Sequence, residues 1–296
     1  MNNRSPRFSI FIPTWNNLSY LKLCIESIRK NSVFEHQILV YVNDGHDGSL
    51  EYVKQLGIDF IHSEYNVGIC IAVNSLRTLV TEKYIVYAND DMYFLPGWDS
   101  ALWNEIQALP NDMFFLSSTM FWPSSGNNSY ILRDYGDSIE TFREEQLLKE
   151  YKDIVHPDLF GATTPPNIVS VRLWDIVGGY SIEFSPGMYS DPDFSAKLWM
   201  AGVRYFKTVS ASRVYHFGTK STERIKKNPG QNQFLNKYDI TSSTFRKYMT
   251  LRDKEFSADN VGKIDFKGLK LGVWKSKLKK IFSIFKSGLA KPLWKL

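Results

Sequence analysis

Two cysteines in 296 residues, Cys24 and Cys70, are too few for a disulfide framework. They fall in separate stretches of helical spacing and are expected as buried, reduced thiols. Long apolar runs are missing as well: none approaches the roughly 20 residues that a spanning helix needs. Met1–Arg7 offers no apolar h-region ahead of the strand-like Phe8-Ser9-Ile10-Phe11-Ile12, so no signal peptide is read there and a cytoplasmic location is expected. The first turn, Pro13-Thr14-Trp15-Asn16-Asn17, holds no glycine. That excludes a Gly-x-Gly-x-x-Gly dinucleotide loop, and with it a dehydrogenase of that type. No internal repeat is evident.

What the chain has is a globular composition, 43% hydrophobic and 15% aromatic, with its charge unevenly placed. Residues 263–296 carry ten lysines and one aspartate, while the remaining 262 residues hold 26 basic and 30 acidic side chains. The net charge of +5 is thus a property of the tail, and a body of net negative charge argues against nucleic acid as a partner.

Strand-like and helix-like stretches alternate from the start. Strands are expected at 8–13, 37–42, 59–62, 84–88 and 113–121, with helices at 18–30, 50–55, 66–80 and 98–109 between them. Pro13 is expected to end the first strand. The alternation implies an α/β fold with a mostly parallel central sheet flanked by helices, and such sheets bind ligands outside the carboxyl ends of their strands. The most informative of those ends follows Tyr84-Ile85-Val86-Tyr87-Ala88, where the apolar run stops at Asn89-Asp90-Asp91. Two adjacent carboxylates repel unless a cation or hydrogen-bond donors sit between them, so a divalent cation site is expected there. Short strands are also expected at 203–209 and 212–217, and helix between Asn232 and Met249. The Ser- and Asn-rich stretch 123–135 suits a lid.

In order along the chain, these features resemble family 2 glycosyltransferases with the A-type nucleotide-sugar-binding fold, over roughly residues 7–217. Asn89-Asp90-Asp91 followed by Pro96-Gly97-Trp98 is similar to the Asn-Asn-Asp-Thr…Pro-Gly-Trp variant of that family's Asp-x-Asp motif. The resemblance implies Asp91 as ligand of Mn²⁺ or Mg²⁺, Asp90 on ribose or sugar hydroxyls, and Asn89 in support. Pro13-Thr14-Trp15 would touch the nucleobase, and Asp44, in Val42-Asn43-Asp44-Gly45, would accept from a pyrimidine N3–H. Asn66, Gly68 and Asn74, in Asn66-Val67-Gly68…Ala72-Val73-Asn74, would open a helix with free N–H groups towards phosphate. Gly178-Gly179-Tyr180 and Ser190-Asp191-Pro192-Asp193 are similar to the family's acceptor region, which implies Asp191 as general base, with Asp193 as second choice. Asp193 could equally cap the helix that follows. His216, in Val214-Tyr215-His216-Phe217, stands where many members place a His that completes the metal shell. Ser190 replaces a Glu, Val73 an Arg and Asn89 an Asp of the family pattern.

Residues 1–120 then form a nucleotide-sugar-binding half, 121–217 an acceptor half of the same domain, 218–262 a helical extension and 263–296 a basic amphipathic tail. Trp274, Leu278, Ile281, Phe282, Phe285 and Leu289 recur at spacings of three and four between lysines. Such a helix lies on an anionic membrane surface or docks on the negative body. The expected activity is inverting, metal-dependent transfer of one sugar from a nucleoside-diphosphate-sugar to a hydroxyl of a growing, lipid-linked glycan at the inner face of the membrane. A nucleotidyltransferase of similar topology and an inactive glycan-binding relative are the alternatives.

Overall fold

The computed structural model describes residues 7–123, 130–218 and 229–286. Its first strand, β1 (Phe8–Trp15), runs straight through Pro13, two residues beyond the expected stop. The Phe11 carbonyl accepts from Ala88 N–H, so Phe11 and, two residues on, Pro13 turn their backbone towards β4 (Tyr84–Tyr87). Pairing with β4 ends at Phe11. The N–H that Pro13 lacks therefore faces past the end of that neighbour, and no ladder bond is lost.

After β1 come α1 (Leu18–Asn31), β2 (Gln37–Asn43), α2 (Ser49–Leu56), β3 (Asp59–Ser63) and α3 (Ile69–Leu76). β4, β5 (Met92–Phe94), α4 (Trp98–Ala108), β6 (Phe114–Trp122), β7 (Tyr130–Leu132) and α5 (Glu144–Glu150) follow. The chain continues through β8 (Leu159–Phe160), β9 (Asn167–Ser170), α6 (Val171–Val177), α7 (Ser190–Met200) and β10 (Tyr205–His216). It ends with α8 (Gly230–Tyr238), α9 (Ser242–Tyr248) and α10 (Phe266–Lys286). The strands form one sheet in the order β3-β2-β1-β4-β9-β6-β10-β5, with β7 beside β6 and β8 beside β10. The first four pair in parallel, and β9 is inserted antiparallel between β4 and β6.

Both faces of this sheet are buried, which is why its strands read as near-continuous apolar runs. Phe8, Ile10 and Ile12 point to one face with Val40, Val86 and the α1 residues Leu21 and Ile25. Phe11 points to the other with Leu39, Tyr87, Val73 of α3 and Trp174 of α6. Successive side chains in a strand alternate faces, so one sequence supplies two cores.

Two expectations change. The strands expected at 203–209 and 212–217 are a single strand, β10, whose register on β6 shifts between Val209 and Arg213. β5 was not foreseen, and it pairs antiparallel with the end of β10. Residues 124–129, at the heart of the expected lid, and Leu289 of the tail lie outside the described residues, as does the Phe285 side chain.

Helix α10 docks through its small residues. A Cβ on Gly268 would stand 2.3 Å from Tyr248, and one on Gly272 2.6 Å from Thr244. Ser276 Oγ accepts from Thr241 N–H at 3.1 Å, and Lys280 pairs with Asp239. Phe266, Leu271, Trp274, Leu278, Ile281 and Phe282 are left exposed. The seam thus uses the face the sequence marked least, and the aromatic stripe stays outside. No helix among the described residues is long and apolar enough to cross a membrane.

Candidate active site

The antiparallel pairing of β5 with β10 sets Met92 opposite His216, and Phe217 N–H donates to the Asp91 carbonyl at 3.1 Å. This register closes a gap of 125 residues: His216 Nε2 lies 2.9 Å from Asp91 Oδ1. The Asn89 amide nitrogen approaches the same imidazole nitrogen at 3.5 Å. Asn89 is steadied by Tyr87, whose hydroxyl donates to Asn89 Oδ1 at 3.2 Å. Asp90 accepts from the Thr14 hydroxyl at 2.7 Å. The repulsion expected of adjacent carboxylates is thus met separately, by a hydroxyl on Asp90 and an imidazole on Asp91.

The set fits an octahedral divalent cation. Two ligands at about 2.1 Å and a right angle stand about 3 Å apart, close to the Asp91–His216 separation of 2.9 Å. One feature weakens the imidazole: His216 Nδ1 is buried with no hydrogen-bond partner among the described residues, and it must carry the proton if Nε2 binds metal. Among the described residues no three His, Cys, Asp or Glu side chains cluster. A cation held by this pair would take its other ligands from substrate oxygens and water.

Beside this corner lies a pocket of about 420 Å³. Nine of the expected residues line it: Pro13, Thr14, Trp15, Asn66, Gly68, Asn89, Asp90, Asp91 and His216. They come from the ends of β1, β4 and β10 and from the loop before α3, at the carboxyl edge of the parallel strands. Asn43, Ile69, Trp122, Pro186 and Gly218 complete the wall and were not among the expected residues. Asn43 ties the wall together. Its amide nitrogen donates to the Thr14 carbonyl at 3.2 Å, and its Oδ1 accepts from Val67 N–H at 2.9 Å. Trp122 sets its ring 4.7 Å from that of His216.

Asp44 sits just outside this lining, in the left-handed conformation with φ 64°. Both of its carboxylate oxygens are held, one by His46 Nδ1 at 2.8 Å and the other by Asn16 Nδ2 at 2.9 Å. The His46 and Asn16 contacts lower its pKa, so it stays a carboxylate with lone pairs to spare. His46 had no role in the sequence reading, because its partnership depends on a turn two residues away.

Two expectations about the loop before α3 need correction. The N–H groups of Val67, Gly68 and Ile69 are not free: they donate to Asn43 Oδ1, Asn66 Oδ1 and the Pro186 carbonyl. A phosphate there would meet side chains and the helix dipole rather than those N–H groups. Gly68 has φ 81°, and a Cβ would lie 2.7 Å from Pro186 Cα, so close backbone approach requires glycine. Asn74 lies away from the pocket. Its amide clamps the backbone of Tyr180, donating to its carbonyl at 2.7 Å and accepting from its N–H at 2.8 Å.

The two acceptor-side carboxylates part company. Asp191, in the first turn of α7, is partly buried and accepts from Tyr180 OH at 3.1 Å. Tyr180 packs on Tyr87 at 5.6 Å between ring centroids, so Asp191 and Asn89 belong to one aromatic wall. Burial pushes the Asp191 carboxyl up to about 6, against the opposing hydroxyl of Tyr180 and the charges of Arg246 and Arg252. Asp193 is fully buried and pinned to α8 by Lys237 Nζ and Tyr238 OH, each at 2.7 Å. Its side chain neither caps α7 nor lines the pocket; it fastens α8 to α7. Ser190, where the family pattern has Glu, donates to the Gly187 carbonyl at 2.6 Å and closes the turn before the helix.

Solved structures share this fold. The mannosyltransferase PcManGT from Pyrobaculum calidifontis, solved with GDP-Man and Mn²⁺, matches with a TM-score of 0.54 at 14% identity, over 99% of this chain and 78% of that one. TarS residues 1–349 from S. aureus, solved with UDP, matches with a TM-score of 0.52 at 15% identity, over 71% of this chain and 60% of that one. Hyaluronan synthase from Pasteurella multocida is 24% identical over 249 residues, which cover 81% of this chain. The chain spans about a quarter of the length of that curated relative. The family model described as glycosyl transferase family 2 matches residues 9–163, from β1 through the Asn89-Asp90-Asp91 corner and on past β8. That match covers a little over half the sequence, and by it the chain belongs to glycosyl transferase family 2.

Proposed function

We propose that the protein is an inverting, metal-dependent glycosyltransferase that moves one sugar from a nucleoside diphosphate to a hydroxyl of a glycan acceptor. The observation that carries this is the meeting of Asp91 and His216 at 2.9 Å on the rim of the 420 Å³ pocket. Mn²⁺ or Mg²⁺ bound there supplies positive charge to the departing diphosphate. An imidazole in the set favours Mn²⁺ over the harder Mg²⁺. The neighbours solved with UDP and with GDP-Man and Mn²⁺ support the same class of ligand.

In this reading Trp15 and Pro13 contact the base, Asp44 accepts its N–H, and Asp90, oriented by Thr14, binds ribose or sugar hydroxyls. Asp191 takes the proton of the acceptor hydroxyl as its oxygen attacks the anomeric carbon on the face opposite the leaving group. With Mn²⁺ present, a panel of UDP- and GDP-sugars should yield at least one that releases nucleoside diphosphate in an acceptor-dependent way. Pyrophosphate release instead would mean a nucleotidyltransferase, and binding without turnover an inactive relative.

The exposed stripe on α10 supports a second element of the proposal, attachment to the cytoplasmic face of a membrane that carries a lipid-linked acceptor. Phe266, Leu271, Trp274, Leu278, Ile281 and Phe282 are all outside, flanked by exposed lysines that anionic lipid attracts. The full chain should float with vesicles containing anionic lipid, and a Trp274→Glu, Phe282→Glu variant should stay behind. Equal flotation of the two proteins removes the membrane claim.

A further inference from the structure

A second pocket, of about 720 Å³, lies between Tyr130 and the segment from α9 to Lys254. Its lining includes Tyr130, Arg246, Lys247, Arg252, Asp253 and Lys254: four cations face one carboxylate. Arg246, on α9, is partly buried and has no ion pair among the described residues. Arg252 is only 10% exposed at its side chain, where Nε lies 3.3 Å from Asp253 Oδ1. Its Nη2 reaches Tyr130 OH at 3.5 Å, and its stem packs against Gly161, where a Cβ would come within 2.8 Å. Burial, then the charge of Arg252, lowers the pKa of Arg246. Two guanidinium groups that line one pocket and act on each other repel, a cost that an oxyanion bound between them would return.

The pocket's position gives this charge a role. Tyr130 stacks on Trp122, with centroids 5.7 Å apart and planes 23° from parallel, and Trp122 lines the nucleotide pocket. One aromatic pair therefore walls both cavities. The charges of Arg246 and Arg252 also act on the Asp191 carboxyl.

We propose that the Arg246–Arg252 pocket is an acceptor subsite that binds an anionic group, phosphate or carboxylate, carried by the glycan next to the hydroxyl to be glycosylated. Guanidinium forks suit either oxyanion through paired hydrogen bonds. The proposal rests on the transferase reading above and narrows its acceptor to anionic glycans.

The test is a calorimetric titration of the full chain with glycerol 3-phosphate and, separately, with methyl glucuronide. Mg²⁺ with saturating UDP or GDP is present, so that the nucleotide pocket is already filled. Wild-type protein should bind at least one of the two probes, and which one it binds assigns the group as phosphate or carboxylate. Arg246→Gln should weaken that binding by about tenfold, one lost charge-assisted contact, with nucleotide affinity unchanged. The bound probe should also raise the acceptor KM while leaving the nucleotide-sugar KM alone. Binding of neither probe, or equal affinity in wild type and variant, overturns the proposal. Should Arg246→Gln fail to fold, the exposed pair K247Q/K254Q takes its place: a loss of about threefold is expected, and no loss overturns it. Probe binding is read apart from sugar transfer, so a failed transfer assay and a failed titration point to different errors.

Discussion

Asp191→Asn should slow sugar transfer by about 10³-fold, within the range a general base contributes, and leave nucleotide binding within about twofold, since Asp191 lies outside the nucleotide pocket. The amide keeps the shape of the side chain and its contact with Tyr180 but cannot take a proton. The wild-type pH profile gives an independent readout. Only the ionised carboxylate can act as base, so kcat/KM should rise with pH and level off above a pKa of about 6, and the variant should lose that limb. Stability responds in the opposite sense. The folded pKa is raised above the unfolded value of about 3.9, so the folded protein binds this proton more tightly. The resulting stabilisation is fully present below about pH 4 and is lost as pH rises through about 6. Asp191→Asn, with no charge to bury, should therefore be more stable than wild type at pH 7, by up to about 2 kcal/mol, and no more stable at pH 4. A pH limb that survives in Asp191→Asn places the base elsewhere.

Asp91→Ala should cost about as much by a different route. It removes the carboxylate that meets His216 Nε2, leaving an imidazole whose Nδ1 has no acceptor among the described residues, with the Asn89 amide beside it. Turnover should fall by about 10³-fold, and the Mn²⁺ concentration for half-maximal rate should rise by more than tenfold. Excess Mn²⁺ should recover part of the rate. A melting curve within a few degrees of wild type would separate this from unfolding. Turnover equal to wild type at low Mn²⁺ would end the metal assignment.

The sheet and the nucleotide pocket were legible in the sequence because their signals are local. An apolar strand that stops at Asn89-Asp90-Asp91 shows its period and its end within ten residues, and the same holds for β2 before Asp44. β5 was not legible: a strand of three residues, Met92–Phe94, is too short to show alternation. What β5 does is also long-range, since its pairing with β10 is what delivers His216. The bent strand β10 read as two because the register shift between Val209 and Arg213 interrupts the alternation. Asn74 and Asp193 match motif positions, yet their side chains are held by Tyr180 and by Lys237 and Tyr238, partners that no spacing in the sequence announces. The basic pocket escaped for the same reason, since Arg246 and Arg252 gain meaning only beside Tyr130 and Trp122.

The strand order also bears on how the protein emerges from a ribosome. β4, which leads to Asn89-Asp90-Asp91, gains its second neighbour only from β9 at 167–170, and β5 gains its partner only from β10 at 205–216. A nascent chain of 120 residues therefore has four parallel strands with an open edge, and no imidazole to place against Asp91. Another 96 residues must follow before His216 exists, a wait of roughly 5–20 s at ordinary elongation rates. Until β9 is made, at 167–170, β4 presents unpaired backbone on that side, a template for the wrong strand. Residues 1–120 are thus a region of the finished molecule and not an independent folding unit, and expressing them alone should give aggregate.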